Sequence, residues 1–376
     1  MVHKLRFDIR DMVLSVKHGL SARNLWVIWK ALVLSWLLWA GMIYLGFYAA
    51  GDSMAGRWQA SRLFPIPEGL FLESTVAMFF MAAALLGGVW IIMSAFQKVS
   101  RITFEQIRGD GFYSGRDALM FHRENWRPLL MVPVAVLAGL SILFIKLFVF
   151  GLLGRIPGVG PILLGVLAVP AWGLSLFGVL AAVALVMAVP MVPAITACTK
   201  GDTFETLFEL FSSITSQPAR IVLYTLTGLL ARGAALVLFV AFARGAMALL
   251  DLGVGAGMGS HGLVTSMQGG MNLAAPQLVS HYGSFLAPLG SLAGAASPWQ
   301  GAAGWLAGLS GVAVALVIIA FWFSSCASFW TVCYLAVRKA KDGEDLLLRA
   351  DDEEFREFEK RYGSADQAGD ESRDGR

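Results

Sequence analysis

Arg232 is the residue whose chemistry asks for an explanation first. It sits inside an apolar run of about 32 residues, 219–250, and lies roughly 5 Å along a helix axis from the middle of that run. A charge at that depth is expensive, and membrane proteins keep one where it meets a substrate, a partner side chain or freed backbone carbonyls. No carboxylate is available within the apolar runs to neutralise it. The candidate partners are carbonyls freed at Pro170 and the hydroxyls of Ser175, Thr225 and Thr227. The chemistry open to such a group is recognition of an anion by a planar five-donor fork. The plainer alternative is that the run slides outward and Arg232 reaches the headgroups. Lys146, Arg244 and Glu73 lie nearer the far interface, where they can snorkel.

The other reactive residue types form no constellation. There is no Walker loop, no His-Glu-x-x-His and no Gly-x-Ser-x-Gly. The five histidines, at 3, 18, 122, 261 and 281, share no metal-ligand spacing. Asp351-Asp352-Glu353-Glu354 stands among Arg349, Arg356 and Lys360, which describes a solvated charged face. Gly253-Val254-Gly255-Ala256-Gly257 follows no strand and is not a phosphate loop. Cys326 and Cys333 are about 10 Å apart on a helix, too far for a disulfide, and with Cys198 they read as buried apolar groups. The expectation is a protein that is not an enzyme, with no cofactor and no metal.

The elements that position Arg232 follow from composition. The chain has 376 residues, of which 57% are hydrophobic and 15% charged, with a mean hydropathy of +0.67. One soluble core cannot hide that excess, which excludes soluble enzymes, disordered chains and secreted disulfide scaffolds. Six runs are long and apolar enough to span a bilayer: about 25–50, 70–96, 129–151, 162–192, 219–250 and 304–337. The fold class is therefore an all-α integral membrane bundle of six spans, occupying residues 1–340. Pro170 predicts a kink in the fourth run and Pro190 its end.

Between the runs, Lys and Arg divide 23 to 3 across the two sides, with Lys146, Arg232 and Arg244 inside spans. The positive-inside rule places both termini in the cytoplasm, and for a bacterial chain the membrane is the inner one. The first run is too long for a signal-peptide core and acts as an uncleaved anchor. Trp26, Trp29, Trp126, Trp299, Trp305 and Trp330 fall near span ends, as an aromatic belt requires. Residues 1–340 carry a net charge of +9 and residues 341–376 a net −6. A basic membrane part points to anionic lipid headgroups as partners, and the acidic tail to a protein partner. Nucleic acid is not expected, because no arginine face with interleaved aromatics lies outside the spans.

The spans come in three pairs, each preceded on the cytoplasmic side by an amphipathic stretch: 4–20, 101–126 and 202–216. In the first, Leu5, Ile9, Met12, Val13, Val16 and Leu20 share a face. In the third, Phe204, Leu207, Phe208, Phe211 and Ile214 do. The second breaks at Gly109-Asp110-Gly111 and restarts at Ser114 with a capping-box pattern. The second and third also share Thr-Phe-Glu, at Thr103–Glu105 and Thr203–Glu205, which predicts a parallel threefold repeat. In this arrangement the chain resembles a diffuse group of uncharacterised bacterial six-span membrane proteins and is similar to the membrane domain fused to some glycerophosphodiester phosphodiesterases. The likeness covers residues 1–340 as architecture. The catalytic domain of the fusion is absent, so the resemblance implies no activity and no site residue.

Two segments stand outside the repeat. The outer segment 251–303 is rich in Gly, Ala and Ser, and Asp251 is its only formal charge. It reads either as a lipid-contacting lid, through Leu263-Val264, Met271-Asn272-Leu273, Phe285-Leu286 and Leu289, or as a flexible low-complexity loop. Residues 341–361 read as a charged cytoplasmic helix and 362–376 as a disordered tail with almost no apolar surface to bury. Two functions remain. One is a scaffold or accessory subunit that engages lipid or a partner protein. The other is a transporter or lipid-handling channel in which Arg232 contacts an anionic substrate.

Overall fold

A computed structural model describes residues 5–258, 263–276 and 301–348. Among these the chain is helical throughout. In chain order the helices are α1 (Ile9–Gly19), α2 (Ala22–Ala49), α3 (Met54–Ser61), α4 (Leu70–Glu73), α5 (Thr75–Arg108) and α6 (Gly115–Glu124), then α7 (Arg127–Leu153), α8 (Gly160–Thr199), α9 (Thr203–Ser216), α10 (Pro218–Met258), α11 (Leu263–Ala274) and α12 (Gly301–Asp342). Six of them, α2, α5, α7, α8, α10 and α12, are long and apolar enough to cross a membrane. In lipid a spanning segment must satisfy its own backbone, and the helix is how an apolar run does so. The protein is an all-α bundle of six spans. The charged stretch beyond Leu348, the 362–376 tail and the histidines at 3, 261 and 281 lie outside the described residues.

Three antiparallel pairs make up the bundle: α2 with α5, α7 with α8, and α10 with α12. The second members, α5, α8 and α12, touch one another and form a central triangle. The short helices follow the same threefold logic, shifted by one unit. Each precedes one pair in sequence and docks on the pair before it. α6 lies on α5 and α2, α9 lies on α8 and α7, and α1 lies on α12 and α10, which closes the ring. Side chains fix where each begins. Asp8 accepts from the Arg10 N–H at 2.9 Å, Ser114 and Asp117 form a reciprocal capping box, and Asp202 accepts from the Glu205 N–H at 2.8 Å.

The repeat is therefore in the topology and not in the shared letters. Thr103–Glu105 belongs to the last turns of α5, while Thr203–Glu205 opens α9. Residues 101–108 extend a span, and only Gly115–Glu124 forms the separate short helix. Gly109 ends α5 in the left-handed region at φ 111°, the usual exit from a helix. The fourth span also runs past its predicted end, because α8 continues through Pro170, Pro190 and Pro193 to Thr199. Its last two turns are buried in the triangle, where Thr196 Oγ1 bonds back to the Val192 carbonyl at 2.9 Å.

The core sits at the end of the bundle that carries most Lys and Arg, called the basic end below. Phe104, Leu129, Met191, Phe329 and Tyr334 are fully enclosed there, with Met12 from α1. Toward the far end the helices separate. Between residues 137 and 180, which cover the α7–α8 hairpin tip, only Gly160 is buried. Past Gly228, α10 buries Arg232 alone up to residue 257.

Two regions at the far end are tightly packed: Ile43, Phe47, Phe71 and Ala77 are buried between α2, α4 and α5, and α11 docks on α12. α11 lies antiparallel on the first turns of α12, with Gly270 against the backbone of Gly304 and Gly308, and Met267 and Met271 over Gly311. A Cβ on Gly270 or Gly308 would collide with the opposite backbone, so this crossing requires glycine. The Arg62 guanidinium donates to the Leu273 carbonyl, the Leu63 N–H donates to Ala274 O at 3.0 Å, and Trp58 stacks on Trp305. Residues 263–274 are thus a docked helix and not a flexible loop. Their lack of charge is what a close helix crossing in lipid demands. The remainder of the proposed lid, 277–300, lies outside the described residues.

Candidate functional site

Arg232 lies 14 residues into α10 and is level with Trp322–Phe329 of α12, the stretch whose Ser324 hydroxyl donates to the Gly19 carbonyl at the end of α1 at 2.8 Å, so it sits toward the basic end. It is 4% exposed. None of the partners expected from sequence meets it. Ser175 Oγ donates to its own Ala171 carbonyl and Thr227 Oγ1 to Leu223, both at 2.9 Å, while Thr225 Oγ1 is buried without a partner. Arg232 Nε donates to the Gly228 carbonyl one turn back, at 3.0 Å. Its guanidinium lies over two rings of α12, 4.6 Å from the Phe329 centroid and 5.5 Å from Trp322. A cation held on aromatic faces in a dry site gains about 2 kcal/mol, which offsets part of its desolvation. Gly228 makes this possible: the Phe329 ring occupies the space a Cβ there would fill. Nη1 is buried with no acceptor.

Among the described residues no carboxylate pairs with Arg232, and the reactive groups near it are the thiols of Cys326 and Cys333. The arrangement can fix the rotation and depth of α10 against α12, and it leaves one donor free. Trp322, Cys326 and Phe329 occupy one face of α12 at helical spacing, with Cys326 between the rings and close enough to bond the guanidinium. That face could have been found in the sequence. What could not be found is that α10 would be its partner.

A second polar cluster, missed by sequence reasoning, joins the central triangle at the basic end. Glu105, 5% exposed, takes ion pairs from Arg101 and Arg108 on its own helix. Arg101 also donates to the Ala197 carbonyl of α8 at 2.9 Å and lies over the rings of Phe104 and Phe121. Gln97 Nε2 bridges Thr196 Oγ1 of α8 at 3.1 Å and the Asn125 carbonyl at 2.8 Å. Its Oε1 faces His122 Nδ1 at 2.6 Å, so that nitrogen carries the proton. Burial and then the charge of Lys98 push the His122 imidazole down to about 4, so it is neutral at pH 7. Thr103 and Ser328 hydroxyls, 3.1 Å apart, join α5 to α12.

On α9 the expected stripe divides: Ile214 is buried and Leu207 and Phe211 pack against the core, but Phe204 and Phe208 face outward. Thr206, Glu209, Leu210 and Ser213 are buried with Ile214. Glu209 pairs with Arg338 and Lys341 of α12, and Lys341 also donates to Ser212. In a membrane Phe204 and Phe208 face lipid, and the polar face is the one that needs partners. Groups of His, Cys, Asp and Glu arranged to hold a metal are absent among the described residues. No protein-family model, curated protein or solved structure matches this chain.

Proposed function

We propose that this polytopic membrane protein is a non-catalytic scaffold or accessory subunit, seated in the bacterial inner membrane with both termini in the cytoplasm. On this reading it engages anionic lipid at its basic end and a partner protein through its acidic tail. The observation that carries the reading is the buried polar layer at the basic end, in which Arg101 joins α5 to α8, Thr103 and Ser328 join α5 to α12, and Glu209 joins α9 to α12. Such a layer holds helices in fixed relation. The enclosure of Arg232 by Gly228, Trp322 and Phe329 supports the same reading, because a transport site for an anion needs the guanidinium to face a cavity. The architectural likeness to six-span membrane domains brings no catalytic residue with it.

The test is affinity purification of the full chain from its native membrane in mild detergent, beside a chain ending at Leu348. A protein that accompanies the full chain and is lost with the truncation supports the accessory role. Equal recovery of every partner from both chains removes the tail from it. Orientation is tested by cysteines at Ser284 and Gly363. They should label from opposite sides, and labelling from the same side refutes the topology.

A further inference from the structure

A cleft at the basic end opens sideways between α2, α5 and the start of α6. It has a volume of about 360 Å³. Lys30 and Lys98 line it from opposite walls, and with Ser94 and Trp90 they are its polar groups. Four features bear on what it holds. First, two ammonium groups share one cleft, and among the described residues neither has a carboxylate partner. Lys30 instead lies over the Trp26 ring, 5.4 Å from its centroid. Second, the Ser94 hydroxyl is 6% exposed and has no hydrogen-bond partner. A buried hydroxyl left unpaired is unfavourable by about 1–3 kcal/mol unless something in the cleft answers it. Third, the positive field extends beyond the cleft, since the Lys98 charge is among the causes that hold nearby His122 neutral. Fourth, the remaining wall is apolar: Val27, Ala31 and Leu34 of α2 and Ile91 of α5 continue along the spans, and Leu34 is open to the surroundings.

We propose that this cleft binds the phosphate group of an anionic phospholipid between Lys30 and Lys98, with the Ser94 hydroxyl donating to a phosphate oxygen and an acyl chain lying along Leu34 and Ile91. Two uncompensated cations beside an unpaired buried donor make a site for an oxyanion. The apolar wall running into the membrane selects a lipid over free phosphate, because inorganic phosphate leaves that wall empty. The Trp90 indole, packed edge-on against Trp126 with ring centres 6.0 Å apart, lines the same cleft. The inference deepens the proposed function, since it assigns one place to the lipid engagement claimed there.

The experiment is native mass spectrometry of the full chain in detergent, titrated with phosphatidylglycerol, phosphatidylcholine and inorganic phosphate. The expected result is one tightly held phosphatidylglycerol, little phosphatidylcholine and no competition from millimolar phosphate. Lys30→Gln/Lys98→Gln should weaken phosphatidylglycerol at least tenfold. Lys200→Gln/Arg220→Gln removes two exposed charges elsewhere on the basic end and should leave binding unchanged. Lys30→Arg/Lys98→Arg should retain it, which separates lost charge from lost folding. Ser94→Ala should weaken it about threefold. Undiminished binding in the glutamine pair overturns this site while lipid engagement stands. Competition by phosphate as strong as by lipid overturns the lipid assignment. Absence of any preference for phosphatidylglycerol in the unaltered protein overturns both the site and the broader lipid reading.

Discussion

At the basic end the helices meet through groups that each need one particular answer: Arg101 and Gln97 join α5 to α8, Thr103 and Ser328 join α5 to α12, and Glu209 joins α9 to two cations of α12. Toward the far end α7, α8 and α10 part, and apart from Lys146 and Arg244 the side chains they expose there are largely apolar, while α2 and α5 stay packed through Ile43, Phe47, Phe71 and Ala77. Lipid tails are as apolar as leucine, so apolar surface alone gives helices little reason to choose one neighbour over another. The two ends therefore divide the labour. Hydrophobicity puts six helices in the membrane, and the polar layer determines which of them meet.

The sharpest way to break that comparison is to disturb each end by one residue. Glu105→Leu leaves Arg101 and Arg108 buried without their shared carboxylate and should lower stability in detergent by about 3 kcal/mol. Leu164→Ala on the α7–α8 arm should change it by less than about 0.5 kcal/mol. Thermal aggregation curves of the two variants measure both, and the reverse order would refute the division.

Next in size is the glycine crossing at the far end. Gly308→Leu forces a side chain into the α11 backbone and should cost about 2 kcal/mol, felt locally. Hydrogen exchange should quicken in 263–274 while residues 93–107 of α5 keep their protection. Unchanged exchange in α11 would mean the glycine crossing does not hold it.

Arg232→Leu should alter stability by about 1 kcal/mol at most, because the ring contacts it loses are balanced by the desolvation it avoids. Expression should be normal or raised. If the charge organises something beyond its own helix pair, the variant fails to complement a deletion strain and Arg232→Lys rescues only in part. Full complementation by leucine leaves Arg232 a helix-positioning residue and nothing more.

The smallest effect concerns pH. His122 is held neutral in the folded protein down to about 4, whereas a free imidazole protonates near 6.5. Its folded value is depressed, so the unfolded chain binds the proton first. Stability is full above about 6.5, falls as pH drops toward about 4, and is level with respect to this group below that. Allowing for the solvent that reaches the ring, the loss is about 1 kcal/mol. His122→Phe should flatten this part of the profile. An unchanged slope would assign it to other groups.

The six spans were legible because runs of Leu, Val and Ala of sufficient length have one meaning in a membrane protein. The threefold plan was legible from spacing, although the letters that suggested it are not equivalent: Thr103 is inside a span and Thr203 begins a surface helix. The α9 stripe held at Leu207, Phe211 and Ile214 and misled at Phe204 and Phe208, because in lipid an apolar side chain is content to point outward. Arg232 was legible as an anomaly but not its partners, since Trp322 and Phe329 stand some 90 residues on and aromatic rings advertise no charge. The α11 crossing was written as glycine, which reads equally as flexibility until its partner is known.

The shifted docking of the short helices has a consequence for how the molecule is made. α6 and α9 each find their seat on helices already synthesised when they emerge. α1 does not, because its seat is α12 and α10, which follow it in the chain. The face that α1 buries, Met12 above all, therefore stays uncovered until α10 and α12 are in place, while Asp11 and Ser15 are already bonded within their own segment. Any chain cut short before α12 keeps an open seam with that face on show. Closure of the ring therefore waits on insertion of α12.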